Sequence, residues 1–509
     1  MSIVAVVVAV LALALIAVAI YDLLQRHHAV LRNFPVIGHL RYILESFGPE
    51  TRQYLVTDND DERPFSRDQR RWIYTSAKLR DNTVGFGTDN DLERAQDYLI
   101  IKHTAFPLPL GATQSTLDFA VPAAKVIGRS RGRRLAFRPP SIVNVSGMSF
   151  GSLSAAAIES INRGAQLVGC WQNTGEGGIS PSHEHGADLV WQIGTGYFGC
   201  RDAEGRFVLD RLADTIASHP QVRAIEIKMS QGAKPGIGGM LPGVKVTPEI
   251  AAIRGIPVGI TCKSPAQHTA FGDVDGLLEF VETIAERTGL PVGIKSAVGE
   301  MDFWHDLADR MDGTGVGVDF ITIDGGEGGT GAGPLVFTDH VALPFRYAFS
   351  RVYRVFAERG LQDDVVWIGS GKLGLPENAL LALSLGCDQV SVGREAMMAA
   401  GCIQAQRCHT GRCPSGVATQ SRWLQHGLDP DLKSVRVANY LAALRFELVR
   451  IGRACGHPHP SLVPPSQLEL LEANYTSIAL DDVFDYPAGW GLPPQADRAE
   501  LIELMGSGS

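Results

Sequence analysis

Three closely spaced cysteines are the most distinctive chemical feature of this sequence. Cys402, Cys408 and Cys413 have the spacing C-x5-C-x4-C, and Pro414 directly follows the third. The gaps are longer than the C-x2-C pairs of zinc knuckles, and an odd number of thiols does not suit a disulfide framework. Clustered thiolates with a following proline suit an iron–sulfur cluster. Three ligands indicate a 3Fe–4S cluster, unless a remote residue such as Cys455 supplies a fourth ligand.

Glycine-rich turns after three short apolar runs form the second chemical feature. The residues of interest in these turns are Gly325, Gly326, Gly329, Gly369, Gly371, Lys372, Gly393 and Arg394. Glycine lets backbone N–H groups approach phosphate oxygens, and a helix N-terminus favours an anion. A P-loop does not fit, because Leu373 follows Lys372, and a Rossmann fingerprint lacks its acidic partner. We therefore expect a phosphate-bearing cofactor at these turns.

Lysines at the end of another apolar run and in a glycine-rich loop indicate which cofactor this is. Lys295 closes another apolar run, and a loop rich in Gly and Pro carries Gln231 and Lys234. A flavin fits such lysines, because a cation near its N1/C2=O edge stabilises the anionic reduced ring. An isolated lysine is more often a surface charge, so the interpretation depends on the whole group.

The elements that must position these residues begin at about residue 140. Short β-branched runs alternate with helical stretches over roughly 250 residues, which predicts a parallel (β/α)8 TIM barrel, with a doubly wound sheet as the alternative. Chemistry in such barrels lies at the C-terminal ends of the strands. A long segment, 175–223, is expected to be an insertion over that face. The expected strands are 142–145, 170–173, 224–228, 258–262, 292–295, 320–323, 365–368 and 389–392.

The first residues of the chain predict a membrane anchor. Residues 3–20 are only Ala, Val, Ile and Leu, and at about 1.5 Å per residue they span roughly 27 Å. A cleaved signal peptide is disfavoured, because no Lys or Arg precedes the run and no small-residue cleavage site follows it. Arg26, Arg32 and Arg41 come after it, so the positive-inside rule predicts a single-pass inner-membrane protein with a cytoplasmic catalytic body.

Composition excludes several classes of protein. The chain has 509 residues, of which 45% are hydrophobic and 20% charged, so it is neither globally disordered nor a small disulfide-stapled module. A net charge of −9 argues against nucleic-acid binding. The expected segments are an anchor (1–24), an arm (25–138), the barrel (139–400), the cysteine-rich loop with packing helices (401–470) and a tail (471–509) with a disordered end.

Four motifs in a fixed order carry a resemblance to a known family. They are NTGEGG from Asn173, QGAKPG from Gln231, DGGEGGTGA from Asp324 and CHTGRCPSGVATQ from Cys408. Together they resemble the FMN-binding synthase domain of glutamate synthase, most strongly over 140–425. The whole chain is similar to the stand-alone, membrane-anchored FMN-binding glutamate synthase family proteins of bacteria.

The resemblance implies two cofactors and a set of site residues. It implies that the barrel binds FMN, with the glycine turns at its phosphate, beside a 3Fe–4S cluster ligated by Cys402, Cys408 and Cys413. The implied flavin-ring contacts are Ser146, Gly147, Met148, Ser149 and Lys295. The residues that would hold or face 2-oxoglutarate are Glu176, Gln231, Lys234 and Arg254. Among these, Arg254 would clamp a carboxylate, Lys234 would polarise the reacting centre or donate a proton, and Glu176 would orient the nitrogen.

The chain also departs from the family pattern. It carries neither the amidotransferase domain that would release ammonia from glutamine nor the nicotinamide-binding partner. Met240 stands where glutamate synthases usually have Gln, and Ile237 where they usually have Glu. Loss of a polar contact shifts substrate preference by orders of magnitude. We therefore expect the redox machinery to carry over more directly than the substrate.

Three hypotheses about function follow. The first is an FMN and iron–sulfur oxidoreductase that takes electrons from an unknown donor and reduces the imine of 2-oxoglutarate and ammonia to glutamate. The second is a subunit of an amine-transferring enzyme, such as N-methylglutamate synthase, that works with an amidotransferase-like partner subunit. The third is a membrane-tethered electron-transfer module without substrate turnover.

Overall fold

The chain folds as two compact units, Met1–Arg71 and Trp72–Ser509. The computed structural model describes residues 2–25, 27–110, 120–473 and 475–506. The disorder predicted for the end of the tail concerns residues 507–509, which lie outside the described residues. The segment boundaries expected at 24, 138, 400 and 470 stay predictions.

The N-terminal unit is helical. Helix α1 (Ile3–Leu24) is followed by α2 (Ala29–Asn33) and α3 (Gly38–Thr51), and a π-helical turn, Arg52–Val56, continues α3. Within the described part of the chain, α1 is the one helix that is long and apolar enough to cross a membrane. Its side chains are exposed along almost the whole helix, as expected for a segment without a protein partner in this unit.

A closed barrel of eight parallel strands forms the centre of the larger unit. The strands of the chain are β1 (Leu99–Ile101), β2 (Val143–Val145), β3 (Gln172–Asn173), β4 (Leu189–Ile193), β5 (Val222–Lys228), β6 (Met240–Leu241), β7 (Cys262–Lys263), β8 (Val292–Ser296), β9 (Phe320–Asp324), β10 (Val366–Ser370), β11 (Gln389–Val392), β12 (Leu468–Leu471) and β13 (Ser477–Ala479). The barrel order is β2-β3-β4-β5-β8-β9-β10-β11, and β11 pairs with β2. This confirms the predicted TIM barrel and excludes the open doubly wound sheet.

Two small antiparallel sheets accompany the barrel. Strand β12 lies between β1 and β13, while β6 and β7 form a hairpin within the connection from β5 to β8. That connection, 229–291, is the longest in the barrel. It carries the loop with Gln231 and Lys234, so the hairpin belongs to the face where the strands end.

Helices surround the barrel and follow its strands. The remaining helices are α4 (Arg67–Ala77), α5 (Ala155–Leu167), α6 (Leu209–Ser218), α7 (Pro248–Arg254), α8 (Val274–Thr288), α9 (Asp302–Met311), α10 (Leu335–His340), α11 (Phe345–Ala357), α12 (Pro376–Ser384), α13 (Arg394–Ala400), α14 (Arg422–Gln425), α15 (Pro430–Ala454), α16 (Leu480–Val483) and α17 (Gln495–Gly506). Several of these helices begin after a residue whose side chain accepts a backbone N–H of the first turn. At the start of α8, for example, the Asp273 side chain accepts the Gly276 N–H at 2.8 Å.

Helix α15 packs closely on α5 through a glycine. A Cβ atom at Gly164 would lie 2.7 Å from the Ser434 carbonyl oxygen, so a larger residue would push the helices apart. Because α15 follows the cysteine-rich loop in the chain, this contact fixes the far end of that loop against the barrel.

One expected strand was wrong, and one real strand was missed. The run 258–262 is not a barrel strand; only Cys262 pairs, in the β7 hairpin, and Val258 and Ile260 are 56% and 59% exposed. The missed strand is β4, which lies in the segment expected to be an insertion. Its Trp191 and Gln192 are buried, and the polar Gln hid the apolar run that is typical of a barrel strand.

Candidate active site

A buried carboxylate forms the polar floor of the barrel mouth. Glu226 on β5 accepts hydrogen bonds from the side-chain amides of Asn173 at 2.8 Å and Gln192 at 2.6 Å, and from the Thr322 hydroxyl at 2.7 Å. All four residues are buried. The interior of the barrel is therefore hydrogen-bonded around one carboxyl group that is satisfied by donors from three other strands.

Lys295 stands above this floor as a buried cation. Its Nζ lies 3.5 Å from Asp324 Oδ2, and its side chain is 7% exposed. Burial alone would lower the pKa of Lys295, but the carboxylates of Asp324 and Glu226 outweigh burial and raise it. Asp324 also accepts the Gly232 N–H at 3.0 Å, which ties the β5–β8 connection to the mouth. The predicted cation at the end of β8 is therefore a charged ammonium group.

A second cluster of charged side chains lies where β5 ends. Lys228 Nζ donates to Glu176 Oε1 and to Gln231 Oε1, both at 2.7 Å. Burial alone would raise the pKa of Glu176, but Lys228, with Lys234 and Arg254, outweighs burial and lowers it. Burial and then the charge of Lys228 lower the pKa of Lys234. The structure thus brings together the residues that the motifs nominated for substrate.

Lys228 is the residue of this group that sequence reasoning missed. It is the last residue of β5, Lys295 is the second-last residue of β8, and the two lysines are paired in the register of these strands. That repetition was the available signal, because the last residue of a barrel strand borders the mouth.

Arg254 and Glu176 face one cavity at the mouth. The cavity is open to solvent and measures about 250 Å³ when that open space is counted with it; Ser149, Phe198 and Met240 also line it. Arg254 Nη2 donates to the Phe150 carbonyl oxygen at 2.9 Å, and its guanidinium lies 5.1 Å from the Phe198 ring centroid. Burial lowers the pKa of Arg254. Two opposite charges, those of Arg254 and Glu176, therefore border one recess at the mouth.

A histidine holds the strand end that carries Lys228. The Tyr197 hydroxyl accepts the N–H groups of Thr269 and Ala270, both at 3.1 Å, so its own hydrogen points to His268 Nδ1 at 3.0 Å. His268 Nε2–H then donates to the Lys228 carbonyl oxygen at 3.0 Å. Burial lowers the pKa of His268, so the ring is neutral, as this chain of hydrogen bonds requires.

The glycine turns at the ends of β9, β10 and β11 meet one another. A Cβ atom at Gly371, where φ is 121°, would lie 3.0 Å from the Gly325 nitrogen, and one at Gly329 would lie 2.6 Å from Arg394 Cδ. Arg394 Nη2 donates to the carbonyl oxygen of Glu327 in the first turn. The turns therefore form one surface with no space for side chains between them.

Two of the nominated N–H groups are already occupied. Gly325 N donates to the Ser370 carbonyl oxygen at 2.9 Å, and Gly326 N donates to that of Leu343 at 2.8 Å. Close to these turns, the Ser146 hydroxyl lies 3.4 Å from that of Ser370. Gly325 and Gly326 would therefore contribute to an anion site through the shape of the turn and not by donating these two N–H groups.

The turn from Ser146 to Ser149 runs directly over the interior amides. A Cβ atom at Gly147 would lie 2.8 Å from Asn173 Oδ1, and one at Gly175 would lie 2.5 Å from the Ser149 nitrogen. The turn also carries Met148. The backbone of the turn lies so close to the barrel interior that a side chain at Gly147 would collide with it. Gly369 lies within β10 itself, while Gly393 directly precedes α13.

The three nominated cysteines share one electrostatic environment. Burial raises the pKa of Cys402 to about 12, and the charges of Cys408 and Cys413 add to this effect. Cys413 differs, because hydrogen bonds from Ser415 and from backbone N–H groups outweigh burial and lower its pKa. Among the residues that the structure describes, no three His, Cys, Asp or Glu side chains meet the geometry of a metal site.

A buried lysine accompanies the cysteines. Lys245 Nζ donates to the Ser152 carbonyl oxygen at 2.9 Å, and burial lowers the pKa of Lys245 against the opposing charges of Cys408 and Cys413. The side chain is 2% exposed. A buried ammonium beside thiols favours their thiolate form.

Comparison with known proteins places this arrangement in a family. A model described as the conserved region in glutamate synthase matches residues 95–458. The chain belongs to the glutamate synthase family. The match spans every barrel strand and the cysteine-rich loop, so it confirms the enzyme class predicted from the motifs, an oxidoreductase of the glutamate synthase type.

Individual relatives of this glutamate synthase family protein cover it to different extents. The glutamate synthase large subunit-like protein YerD of Bacillus subtilis (strain 168) is 36% identical over 473 residues, which is 87% of this chain and 89% of YerD. The archaeal-type glutamate synthase (NADPH) of Thermotoga neapolitana is 37% identical over 313 residues, and the match spans 61% of this chain and 58% of that relative. A solved flavocytochrome b2 with bound sulfite covers 92% of this chain and 94% of its own at 13% identity, with a TM-score of 0.43.

Proposed function

We propose that this chain is an FMN- and iron–sulfur-dependent oxidoreductase that converts 2-oxoglutarate and ammonia to glutamate. The observation that carries the proposal is the single cavity bordered by Arg254 and Glu176 and joined through Lys228 to the loop with Lys234. Ammonia adds to the keto carbon and water leaves; the resulting C=N bond then takes up two electrons and two protons to become the amine.

The barrel mouth fits FMN. A buried lysine whose pKa is raised, Lys295, supplies the cation that a reduced flavin ring needs. The turn with Gly147 and the convergent turns with Gly371 and Arg394 leave backbone, rather than side chains, at the edges of the mouth. When bound, FMN would supply the two-electron reducing chemistry that no amino acid side chain provides.

The cysteine-rich loop fits a 3Fe–4S cluster in its chemistry. Cys402, Cys408 and Cys413 would supply three thiolates. Hydrogen bonds lower the pKa of Cys413, and the charge of Lys245 opposes the burial that raises the pKa of Cys408. Outer donors of this kind also tune the potential of such a cluster.

The roles of the substrate-facing residues follow from their charges. Arg254 would bind a carboxylate of 2-oxoglutarate, and Glu176 would accept a hydrogen bond from the nitrogen. Lys234, whose pKa burial lowers, is suited to donate a proton to the reacting centre. Lys228 would hold Glu176 in place, and Gln231 in turn would hold the Lys228 ammonium group.

A spectroscopic experiment tests this proposal. The full chain, purified in detergent and reduced without oxygen, should regain its oxidised flavin absorbance when 2-oxoglutarate and ammonium are added together. Arg254→Lys should raise the 2-oxoglutarate concentration needed for half of this reoxidation about tenfold to a hundredfold, because it loses a charged bidentate contact. Arg223→Lys, which alters a guanidinium stacked on Phe137 at 4.6 Å elsewhere in the barrel, is the matched control.

The cluster has its own test. Cys413→Ala should remove most of the iron measured in the purified protein, whereas Cys455→Ala should leave the iron content unchanged. Both cysteines are buried, so the two variants carry comparable packing defects. Loss of iron from both variants would instead indicate a cluster with four protein ligands.

Met240 favours a second candidate function. It lines the cavity, is 39% exposed and replaces a polar residue that glutamate synthases usually have. An apolar wall suits an N-alkylated amine, as in a subunit of an N-methylglutamate synthase type of enzyme that works with an amidotransferase-like partner. Reoxidation by 2-oxoglutarate with methylammonium, but not with ammonium, would favour this function; no reoxidation with either would favour an electron-transfer module.

The N-terminal unit supports membrane attachment of the enzyme. Helix α1 has 22 residues, which at about 1.5 Å each exceed the roughly 30 Å of a hydrocarbon core. Arg32 and Arg41 follow it, and this basic flank favours a cytoplasmic catalytic body in a single-pass inner-membrane protein. Retention of the chain in membranes washed with alkaline carbonate tests the attachment.

A further inference from the structure

Helix α3 in the N-terminal unit has an uncovered apolar face. Leu40, Ile43, Leu44 and Phe47 are 56%, 52%, 63% and 63% exposed, respectively. Their spacing of three and four residues places them in one stripe along the helix. An apolar stripe of this width normally packs on a protein core, yet more than half of each of these four side chains is exposed.

The other side of α3 is polar. Arg41 Nε donates to Glu45 Oε1 at 2.7 Å, one turn apart, and both side chains are more than half exposed. Ser46 is exposed as well. The helix is therefore amphipathic, with an ion pair towards water and large aliphatic and aromatic side chains on the opposite side.

A buried aspartate fixes the start of α3 to the end of α1. The Asp22 side chain is fully buried; it accepts the Val36 N–H at 2.9 Å and contacts His39 Nε2 at 2.9 Å. Asp22 lies two residues before the end of α1 at Leu24, which is about 3 Å along the helix axis. The start of α3 is thus at the same level as the last turn of the apolar helix.

We propose that α3 lies in the plane of the membrane surface, with the stripe of Leu40, Ile43, Leu44 and Phe47 inserted among the lipid acyl chains. The proposal rests on the proposed insertion of α1, because α1 ends where hydrocarbon gives way to headgroups. A helix fixed at that level must place its apolar side in the acyl-chain boundary and its polar side in water. Arg32 and Arg41 nearby match the negative surface of an anionic leaflet.

The residues before α3 extend the same surface. Phe34 and Ile37 lie in the turn between α2 and α3, and they are 63% and 74% exposed. An aromatic side chain at this level is typical of the membrane interface. The occupant of the whole surface is therefore a lipid leaflet, continuous with the one that surrounds α1, rather than a separate protein partner.

Photo-crosslinking of the full chain in membranes tests this arrangement. In vesicles of phosphatidylethanolamine and phosphatidylglycerol, Phe47→p-benzoylphenylalanine should form about tenfold more lipid adduct, detected by mass spectrometry, than the same replacement at Glu45. Glu45 is the matched control, because it lies on the same turn but on the polar side of α3. Circular dichroism and flavin content confirm that each variant is folded.

A third position separates this proposal from the membrane proposal on which it rests. Leu13→p-benzoylphenylalanine, in the middle of α1, reports insertion of the span. Lipid adducts at positions 13 and 47 support both proposals. Adducts at 13 with none at 47, or with crosslinks from 47 to a second copy of the chain, overturn the interfacial placement of α3 alone. No adduct at 13 contradicts insertion of α1 itself.

Discussion

At the scale of single residues, the chemistry of this protein depends on charges that modify one another. Glu176, Lys228 and Lys234 lie within one buried group, and the pKa values of Glu176 and Lys234 reflect the neighbouring charges as well as burial. Motifs nominated Glu176 and Lys234, because both lie in recognisable strings. Lys228 escaped notice because a lone lysine at a strand end has an ordinary surface role in most sequences.

Lys228→Met should shift the whole pH profile of turnover to higher pH. Removing the Lys228 charge raises the pKa of Glu176, which must be ionised to bind nitrogen, so the acidic limb moves up. The same change raises the pKa of Lys234, which must keep its proton, so the alkaline limb also moves up. The measurement is kcat/KM against pH, with the exposed hairpin variant Lys263→Met as control. Movement of the acidic and alkaline limbs in opposite directions would contradict the effect of Lys228 on Glu176 and Lys234.

The cysteine spacing is visible in the sequence, but the charged neighbour of the cysteines is not. The spacing of Cys402, Cys408 and Cys413 predicts an iron–sulfur cluster because of its regularity and the following proline. Lys245, by contrast, is about 160 residues before the loop and reaches it only through the fold. No pattern in the sequence connects a lysine after β6 with cysteines after α13.

At the scale of elements, the sequence predicted the number of barrel strands correctly but not the identity of each. The run 258–262 has β-branched residues, yet a strand needs a partner on both sides in a barrel, and this run pairs only as the short hairpin β6–β7. Strand β4 contains Gln192, whose amide is satisfied by Glu226 on β5. A polar residue is accepted in a buried strand when its hydrogen-bond partner comes from a neighbouring strand, which a single segment does not reveal.

Tyr197→Phe should loosen the loop between β7 and α8. The Tyr197 hydroxyl is the acceptor for the amides of Thr269 and Ala270, and it holds His268 against the strand end of Lys228. Without the hydroxyl, the Thr269 and Ala270 N–H groups lose their acceptor, so their hydrogen exchange should be about tenfold faster or more. Exchange mass spectrometry of the peptide 264–273 measures this.

A tyrosine in an equivalent role elsewhere is the control for that experiment. Tyr353→Phe also removes a hydroxyl that accepts a backbone N–H, that of Gly491 at 3.1 Å. It should leave exchange in 264–273 unchanged. Equal protection of this peptide in the wild-type protein and in Tyr197→Phe would mean that His268 and the loop are held by packing, for example by the stack of His268 on Phe271 at 4.8 Å.

At the scale of the whole molecule, the two ends of the barrel use buried charge for different purposes. The mouth keeps Lys295 and Lys228 beside a cavity, whereas the opposite end buries Lys125 completely in protein contacts. Lys125 Nζ donates to the carbonyl oxygens of Gln362 and Val365 and lies 3.2 Å from Asp388 Oδ2. Buried charge at this end therefore joins β10 and β11 to the segment before β2.

The Asp388 carboxyl makes the stability of the barrel depend on pH in a direction opposite to that of most carboxylates. Burial raises its pKa from 3.8 to about 6, against the lowering effects of Lys125 and of the Trp367 N–H, which donates at 2.7 Å. Between these two values the folded chain holds a proton that the unfolded chain has released. Stability therefore falls as pH rises from about 4 to 6, by about 3 kcal/mol at 1.36 kcal/mol per unit, and is level above that range.

Asp388→Asn should remove this dependence, because an amide does not titrate. The thermal midpoint Tm of the wild-type chain minus that of Asp388→Asn should decrease as pH is raised from 4.5 to 7. Asp364→Asn, which changes an exposed carboxyl on the same end of the barrel, is the matched control variant. If the difference for Asp388→Asn instead grew with pH, the ionised carboxylate paired with Lys125 would be the stabilising form, and burial would not dominate the pKa of Asp388.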